Sequence, residues 1–293
     1  SENGNYDYLM YADLDFKHPE VIKNLYEWAD WFIKTTGIQG FRLDAVKHID
    51  SFFMSNFIRD ILKKNGEDFY VFGEFWNNEE TANNDYLESI DYQFDLVDVK
   101  LHNNLFDASR MRENYDLRTI FDQSLVKNHP ESAVTFVDNH DTQRGQALES
   151  TVEEWFKPAA YALILLRESG LPCVFYGDYY GIKGEFAQQD FQDVIDKLLD
   201  IRLNIAYGEE TDYFDDPNCI GWTRAGIDGN QPLAILVSNS SATSKRMYFG
   251  QDWSGYECSD YLGNCQEIIT IDEEGWGEFP VEEQSVSVWS IKN

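Results

Sequence analysis

The stretch Gly40-Phe41-Arg42-Leu43-Asp44-Ala45-Val46-Lys47-His48 passes from apolar to charged within three residues. On an extended strand, side chains two apart share a face. Arg42 and Asp44 then point the same way, while Phe41, Leu43 and Ala45 face the other way or pack between layers. An arginine beside a carboxylate favours the ionised form. An aspartate kept ionised at a strand end is a nucleophile or an ion ligand. From this stretch alone a purely structural Arg–Asp pair reads equally well.

The flanks repeat one pattern. Pro19 suits the first helical position, and Val21, Leu25, Trp28 and Phe32 make a helical apolar stripe that Gly37 can end. After Asp44 the spacing predicts a second helix over about Ser51–Lys64, with Phe53, Phe57 and Ile61 on one face. The apolar strand Phe69–Gly73 follows and ends in Glu74. Further on, Gln93–Lys100 reads as a strand and Asp116–Val126 as a short helix. Ala133–Val137 is a β-branched strand running into Asp138-Asn139-His140-Asp141. Ser150-Thr151-Val152-Glu153 has the spacing of a capping box and predicts a helix through Leu166. Pro172–Tyr176 reads as a short buried strand, and a last helix is expected over about Phe186–Leu203. Strands alternating with helices imply a parallel sheet with helical cover. Acids after the strands sit where a (β/α) barrel builds its active face.

The texture changes after about Thr211. Short β runs (Ile220–Arg224, Leu233–Val237, Arg246–Phe249, Ile268–Ile271, Ser285–Ile291) are split by Gly, Asn, Asp and Ser. They imply an all-β antiparallel sandwich packed on the rest. The fold expected is thus α/β, a partial (β/α)8 TIM barrel of five strands plus this C-terminal sandwich. The domains are a loop at 1–17, barrel at 18–210 and sandwich at 211–293.

Composition narrows the function. The 293 residues carry 53 acidic against 23 basic side chains, a net charge of −30, which disfavours nucleic acid and anionic membranes as partners. Aromatic residues make up 15% of the chain, too many for a disordered acidic chain, and rings can serve as platforms for sugars. Cys173, Cys219, Cys258 and Cys265 form no CxxC pair. A Cys258–Cys265 disulfide is possible in an oxidising compartment, and Cys173 reads as a buried thiol. No run reaches the length of a membrane span.

Three acids placed after successive strands, Asp44, Glu74 and Asp141, suit glycoside cleavage. That reaction needs one ionised carboxylate and one carboxylic acid that keeps its proton. Arg42 favours the charge on Asp44, whereas Phe72, Phe75 and Trp76 around Glu74 desolvate it and raise its pKa. Asp141, beside His140, can hold sugar hydroxyls. Asp7, Asp13 and Asp15 offer hard oxygen ligands on a loop, suited to Ca2+ or simply to turns and helix caps. A divalent-metal site of an enolase-type or phosphate-handling enzyme is the competing reading. No phosphate-cradling glycine loop or metal-spaced histidine cluster supports it.

Gly40–His48, Gly73-Glu74-Phe75-Trp76 and Phe136-Val137-Asp138-Asn139-His140-Asp141 resemble three signatures of the α-amylase family, glycoside hydrolase family 13. The lead-in Gly4–Asp13 and the tail Gly275–Phe279 are similar to the liquefying bacterial type. The resemblance implies retaining endo-hydrolysis of α-1,4-glucans such as starch. It makes Asp44 the nucleophile, Glu74 the general acid/base and Asp141 the transition-state stabiliser. Arg42, Lys47, His48, Trp76 and His140 become substrate-binding or orienting positions. Asp7, Asp13 and the His48 carbonyl become ligands of Ca2+, and Asp15 a neighbouring cation position. Lys17 and Asn239 stand where that type often carries acidic ligands, whereas Asp212 keeps one. The resemblance also implies that these are the last five barrel strands, partnered by an N-terminal part of the same enzyme, and it favours secretion. A non-catalytic glucan-binding fragment and an α-glucan transglycosylase of the same family are the other expectations.

Overall fold

A computed structural model describes residues 14–66, 68–227 and 230–292. Asp7 and Asp13 lie outside the described residues. In chain order the first part holds α1 (Pro19–Thr36), β1 (Gly40–Leu43), α2 (Ser51–Asn65), β2 (Tyr70–Gly73), α3 (Glu80–Ser89), β3 (Asp95–Val97), α4 (Val99–Met111) and α5 (Leu125–Asn128). It continues with β4 (Ala133–Phe136), α6 (Lys157–Leu165), β5 (Leu171–Cys173), α7 (Tyr176–Tyr180) and α8 (Gln192–Asn204). Eight strands follow: β6 (Glu210–Asp216), β7 (Cys219–Arg224), β8 (Leu233–Ser238), β9 (Thr243–Tyr248), β10 (Glu257–Asp260), β11 (Ile269–Thr270), β12 (Trp276–Val281) and β13 (Val286–Ile291).

The first five strands form one sheet in the order β1-β2-β3-β4-β5, and the pairings of β1 with β2, β2 with β3, and β3 with β4 are parallel. This is a half-barrel sheet. Gly40 is required where β1 and β2 meet, because a Cβ there would come within 2.3 Å of the Tyr70 carbonyl oxygen. The helix from Pro19 forms as its pattern predicts: the His18 ring accepts from the Glu20 amide, and Gly37, left-handed at φ 69°, closes the last turn onto Ile33.

The chain divides into two compact units. One holds the described residues up to Lys100 together with Gln123–Val134, and the other holds Leu101–Asp122 with Thr135 onward. In the first, Phe53, Phe57, Ile58 and Ile61 of α2 are buried, as the predicted stripe requires, with Val71, Leu87 and Leu96. In the second, a six-stranded sheet (β11-β10-β13-β8-β7-β6) packs on the pair β12-β9. Ala234 and Leu236 from one sheet and Met247, Phe279 and Val281 from the other share one core around Trp289. Within the same unit, α6 packs on α8 and β13, and Lys197 of α8 donates to the Leu262 carbonyl at 3.0 Å.

Several expected elements differ. The run Gln93–Lys100 is strand only at Asp95–Val97, and a helix begins at Val99. Within Asp116–Val126 there is one 3-10 turn, Leu117–Thr119, before α5. The Asp116 carboxylate caps the Arg118 amide, and Gln123 at φ 59° takes a left-handed turn that no helix continues. The capping box opens no helix, because tertiary partners take its polar groups. Ser150 bonds His102, Thr151 donates to the Thr142 carbonyl, and the Val152 amide donates to Asp138. Helix α6 starts only at Lys157, ahead of Pro158. The last helix starts at Gln192, since Ile182 and Gln188 pair as an antiparallel bridge. Cys258 and Cys265 are buried free thiols with no disulfide, and Cys173 is exposed on β5, at an edge of its sheet.

Candidate active site

Asp44 follows β1 and Glu74 follows β2. Because β1 and β2 run parallel with Leu43 opposite Gly73, both acids leave the sheet at the same end. The backbone locks this register: the Glu74 amide donates to the Leu43 carbonyl at 2.8 Å and the Val46 amide to the Glu74 carbonyl at 3.1 Å. Ala45 between them is left-handed (φ 48°), a strained state for a residue with a Cβ. In that conformation its amide donates to Glu74 Oε2 at 3.3 Å.

One guanidinium serves both carboxylates. Arg42 Nη1 donates to Asp44 Oδ1, and Nη2 donates to Glu74 Oε2 at 3.2 Å. The two acids differ in setting. The Asp44 side chain is 74% exposed and that of Glu74 10%. Burial pushes the Glu74 carboxyl above its ordinary pKa, and the neighbouring Asp44 charge adds to this; the Ala45 amide and Arg42 pull the other way without cancelling it. The surroundings of Phe72, Phe75 and Trp76 predict that direction.

Lys47 is exposed, with Nζ 3.4 Å from the Trp76 carbonyl. His48 closes the 3-10 turn Val46–His48, half-buried, and Trp76 is half-buried as well. Asp15, the one carboxylate of the expected Ca2+ set within the described residues, is exposed and accepts from the Lys17 amide at 2.9 Å. Among the described residues the converging carboxylate, thiol and imidazole donors are instead Cys265, Glu267 and Glu282. Cys265 is buried and its thiol is pushed up to about 11, which makes it a poor ligand near neutral pH. Asp212 is ion-paired to Arg167 at 2.7 Å, and the Asn239 amide donates to the Arg112 and Tyr115 carbonyls.

The third acid sits on a loop after β4 in the second unit. Asp141 and His140 are solvent-facing, 3.3 Å apart. Beneath them Asn139 Oδ1 accepts from the Asp141 and Thr142 amides at 2.9 and 3.0 Å. The Thr142 hydroxyl accepts from the Asn139 amide and donates to Asp138 Oδ1, both at 2.9 Å. Asp138 is buried against the Lys157 ammonium at 2.8 Å. His102 approaches the same carboxylate at 4.0 Å, but burial lowers its pKa to about 4, so it is neutral and makes no ion pair. Sequence reasoning passed over this foundation. A lone lysine in the apolar run Phe156–Ala160 is the signal that betrays it, since a buried lysine must find a counter-charge.

A paired, unequal set of carboxylates thus lies beyond the carboxyl ends of parallel half-barrel strands. The profile of the α-amylase catalytic domain matches residues 5–223, and that of the α-amylase C-terminal domain matches residues 233–290. The chain belongs to the α-amylase family. It is 47% identical over 294 residues to a glucan 1,4-α-maltohexaosidase of Bacillus sp. (strain 707), covering 100% of this chain and 57% of that protein. It is 46% identical to an α-amylase of Geobacillus stearothermophilus, over 99% of this chain and 53% of the relative. The chain therefore spans about half the length of the curated relatives it matches. Among solved structures, an Anoxybacillus α-amylase superposes with a TM-score of 0.73 at 21% identity, over 99% of this chain and 69% of that one. The cyclomaltodextrin glucanotransferase CldA reaches 0.75 at 20% identity, over 100% and 66%. At those identities the likeness is one of fold.

Proposed function

We propose that this chain carries the catalytic carboxylates of an α-amylase, an enzyme that hydrolyses α-1,4-glucosidic bonds in starch and related glucans from within, with retention of configuration. The observation that carries the reading is one arginine gripping two carboxylates of opposite character. Asp44, exposed and paired, attacks the anomeric carbon and forms the glycosyl-enzyme bond. Glu74, whose burial keeps its proton to higher pH, donates it to the departing glycosidic oxygen and then takes one from the incoming water, which releases the sugar. The electrons of the broken C–O bond leave with the protonated oxygen, so charge balances in each half-reaction. Asp141 holds sugar hydroxyls and stabilises positive charge on the ring, with His140, Lys47, His48 and Trp76 as further sugar contacts. Membership of the α-amylase family supports the reading.

The test is turnover of soluble starch by the enzyme containing this chain. Glu74→Gln is expected to lower kcat by at least about 10³-fold while cooperative unfolding persists. Undiminished release of reducing ends by that variant would overturn the reading.

Oxygen donors of the kind assigned here, the Asp7 and Asp13 carboxylates and the His48 carbonyl with Asp15 at a neighbouring cation position, would suit a calcium ion. Asp15 and His48 are the described members. Bound there, the ion would tie the loop before α1 to the turn after Asp44; it contributes rigidity and no chemical step. Chelation with EDTA should lower the unfolding temperature, and added Ca2+ but not Mg2+ should restore it. An unfolding temperature indifferent to both would remove the ion from the account.

A further inference from the structure

Asp141 is 37% exposed, and the one side chain paired with it among the described residues, His140, is more exposed still. Neither can fix the other. Its position is set from below, through backbone and buried polar groups. The chain of contacts runs from the Asp141 amide to Asn139 Oδ1, from the Asn139 amide to the Thr142 hydroxyl, and from that hydroxyl to Asp138. Asp138, Lys157 and Asp178 are each 2% exposed or less, so this is an ionic cluster wholly out of water. The Lys157 ammonium lies between the carboxylates of Asp138 and Asp178 and also donates to Gln188 Oε1 at 3.2 Å. Asp178 is further held by the Tyr161 hydroxyl at 2.6 Å and the Gln188 amide at 2.7 Å.

The partners are unequal. Asp178 has three side chains donating to it and stands without leaning on the loop. Asp138 has the loop's own Thr142 and Val152 amide, and one donor from a helix, Lys157. Lys157 is therefore the contact by which the rigid α6 reaches the loop. Without the ammonium Asp138 loses the donor that ties it to α6 and is left buried without a counter-charge. The loop end would then move away, and Asp141 with it.

We infer that Lys157 is a positioning residue, which acts through Asp138 to hold the Asn139–Thr142 loop and so places Asp141. This rests on the proposed role of Asp141, but the anchoring half stands on its own. The test uses Lys157→Met combined with Asp178→Asn, which removes one positive and one negative charge and leaves the buried balance unchanged. Hydrogen exchange of this chain should show the Asp141 and Thr142 amides opening at least about tenfold faster, with cooperative unfolding retained. In the enzyme containing this chain, kcat should fall roughly 10²-fold with KM within about threefold, the signature of a displaced group and not of lost binding. Asp178→Asn alone, which keeps Lys157 on Asp138, should leave both quantities within about threefold of the parent. Unchanged amide exchange in the double variant overturns the anchoring. Unchanged kcat overturns the positioning, provided Asp141→Asn has abolished turnover. If Asp141→Asn turns over normally, it is the functional reading that fails, and exchange alone decides the anchor.

Discussion

The two acid-bearing regions are built on opposite plans. After β1 and β2, the arginine that pulls down the Glu74 pKa also positions both acids: Arg42 touches Asp44 and Glu74 and is itself 34% exposed. After β4, the charges that do the holding, Asp138 and Lys157, are buried beneath the acid that faces solvent. In the first region one substitution alters geometry and proton affinity together. In the second the two are separable, because the buried charges reach Asp141 through Asn139 and Thr142. A shared partner suits a nucleophile and a proton donor that must act on the same bond. A buried footing suits a group that has only to stay in place.

The largest expected effect comes from removing the shared partner. Arg42→Met should lower kcat about 10²-fold, since Asp44 loses the partner that aims it and Glu74 loses one of two donors. Arg42 is among the groups pulling the Glu74 pKa down against burial, so its removal raises that pKa further. The protonated acid then persists to higher pH, and the alkaline limb of the kcat profile moves upward. The sign for stability is opposite in feel. A carboxyl whose pKa is raised by folding contributes stability below its unfolded pKa and loses that contribution as pH rises through the folded value. The variant should therefore lose more stability than its parent between acid and neutral pH. Titrated kcat and denaturant midpoints over that range check both; an alkaline limb that stays put or moves down would show that Arg42 does not tune Glu74.

Legibility in the sequence follows the range of the interactions. The stretch around Asp44 was readable because its signals are local: Arg42 and Asp44 alternate on one strand, and the aromatics that desolvate Glu74 are its neighbours in sequence. The helix from Pro19 was readable for the same reason, with its cap and its terminator both nearby. The footing of Asp141 was not, because Asp138, Lys157 and Asp178 lie 19 and 21 residues apart and meet only in the folded chain. The capping box misled for a related reason. Its spacing is right, but Ser150, Thr151 and Val152 spend their hydrogen bonds on His102, Thr142 and Asp138, partners no local rule foresees. Strands such as Glu257–Asp260 escaped because they alternate weakly and are defined by their neighbours, here Ile291 to Trp289 of β13.

The smaller effect probes the loop by comparing two of its own residues. Thr142 is fully buried, and its hydroxyl is at once donor to Asp138 and acceptor from the Asn139 amide. Thr142→Val keeps the shape and deletes both bonds, which strands a buried amide and takes one donor from a buried carboxylate. The expected cost is about 1–3 kcal/mol. His140→Gln removes the partner of Asp141 at a site where His140 is 62% exposed. An ion pair open to water is worth at most about 1 kcal/mol, and this one requires a protonated imidazole. Urea midpoints for the two variants should therefore separate clearly, with Thr142→Val the weaker protein and its loss concentrated, by hydrogen exchange, between Asp138 and Val152. Equal midpoints would mean that the loop is held by its exposed face after all, and the contrast between the two acid-bearing regions would collapse.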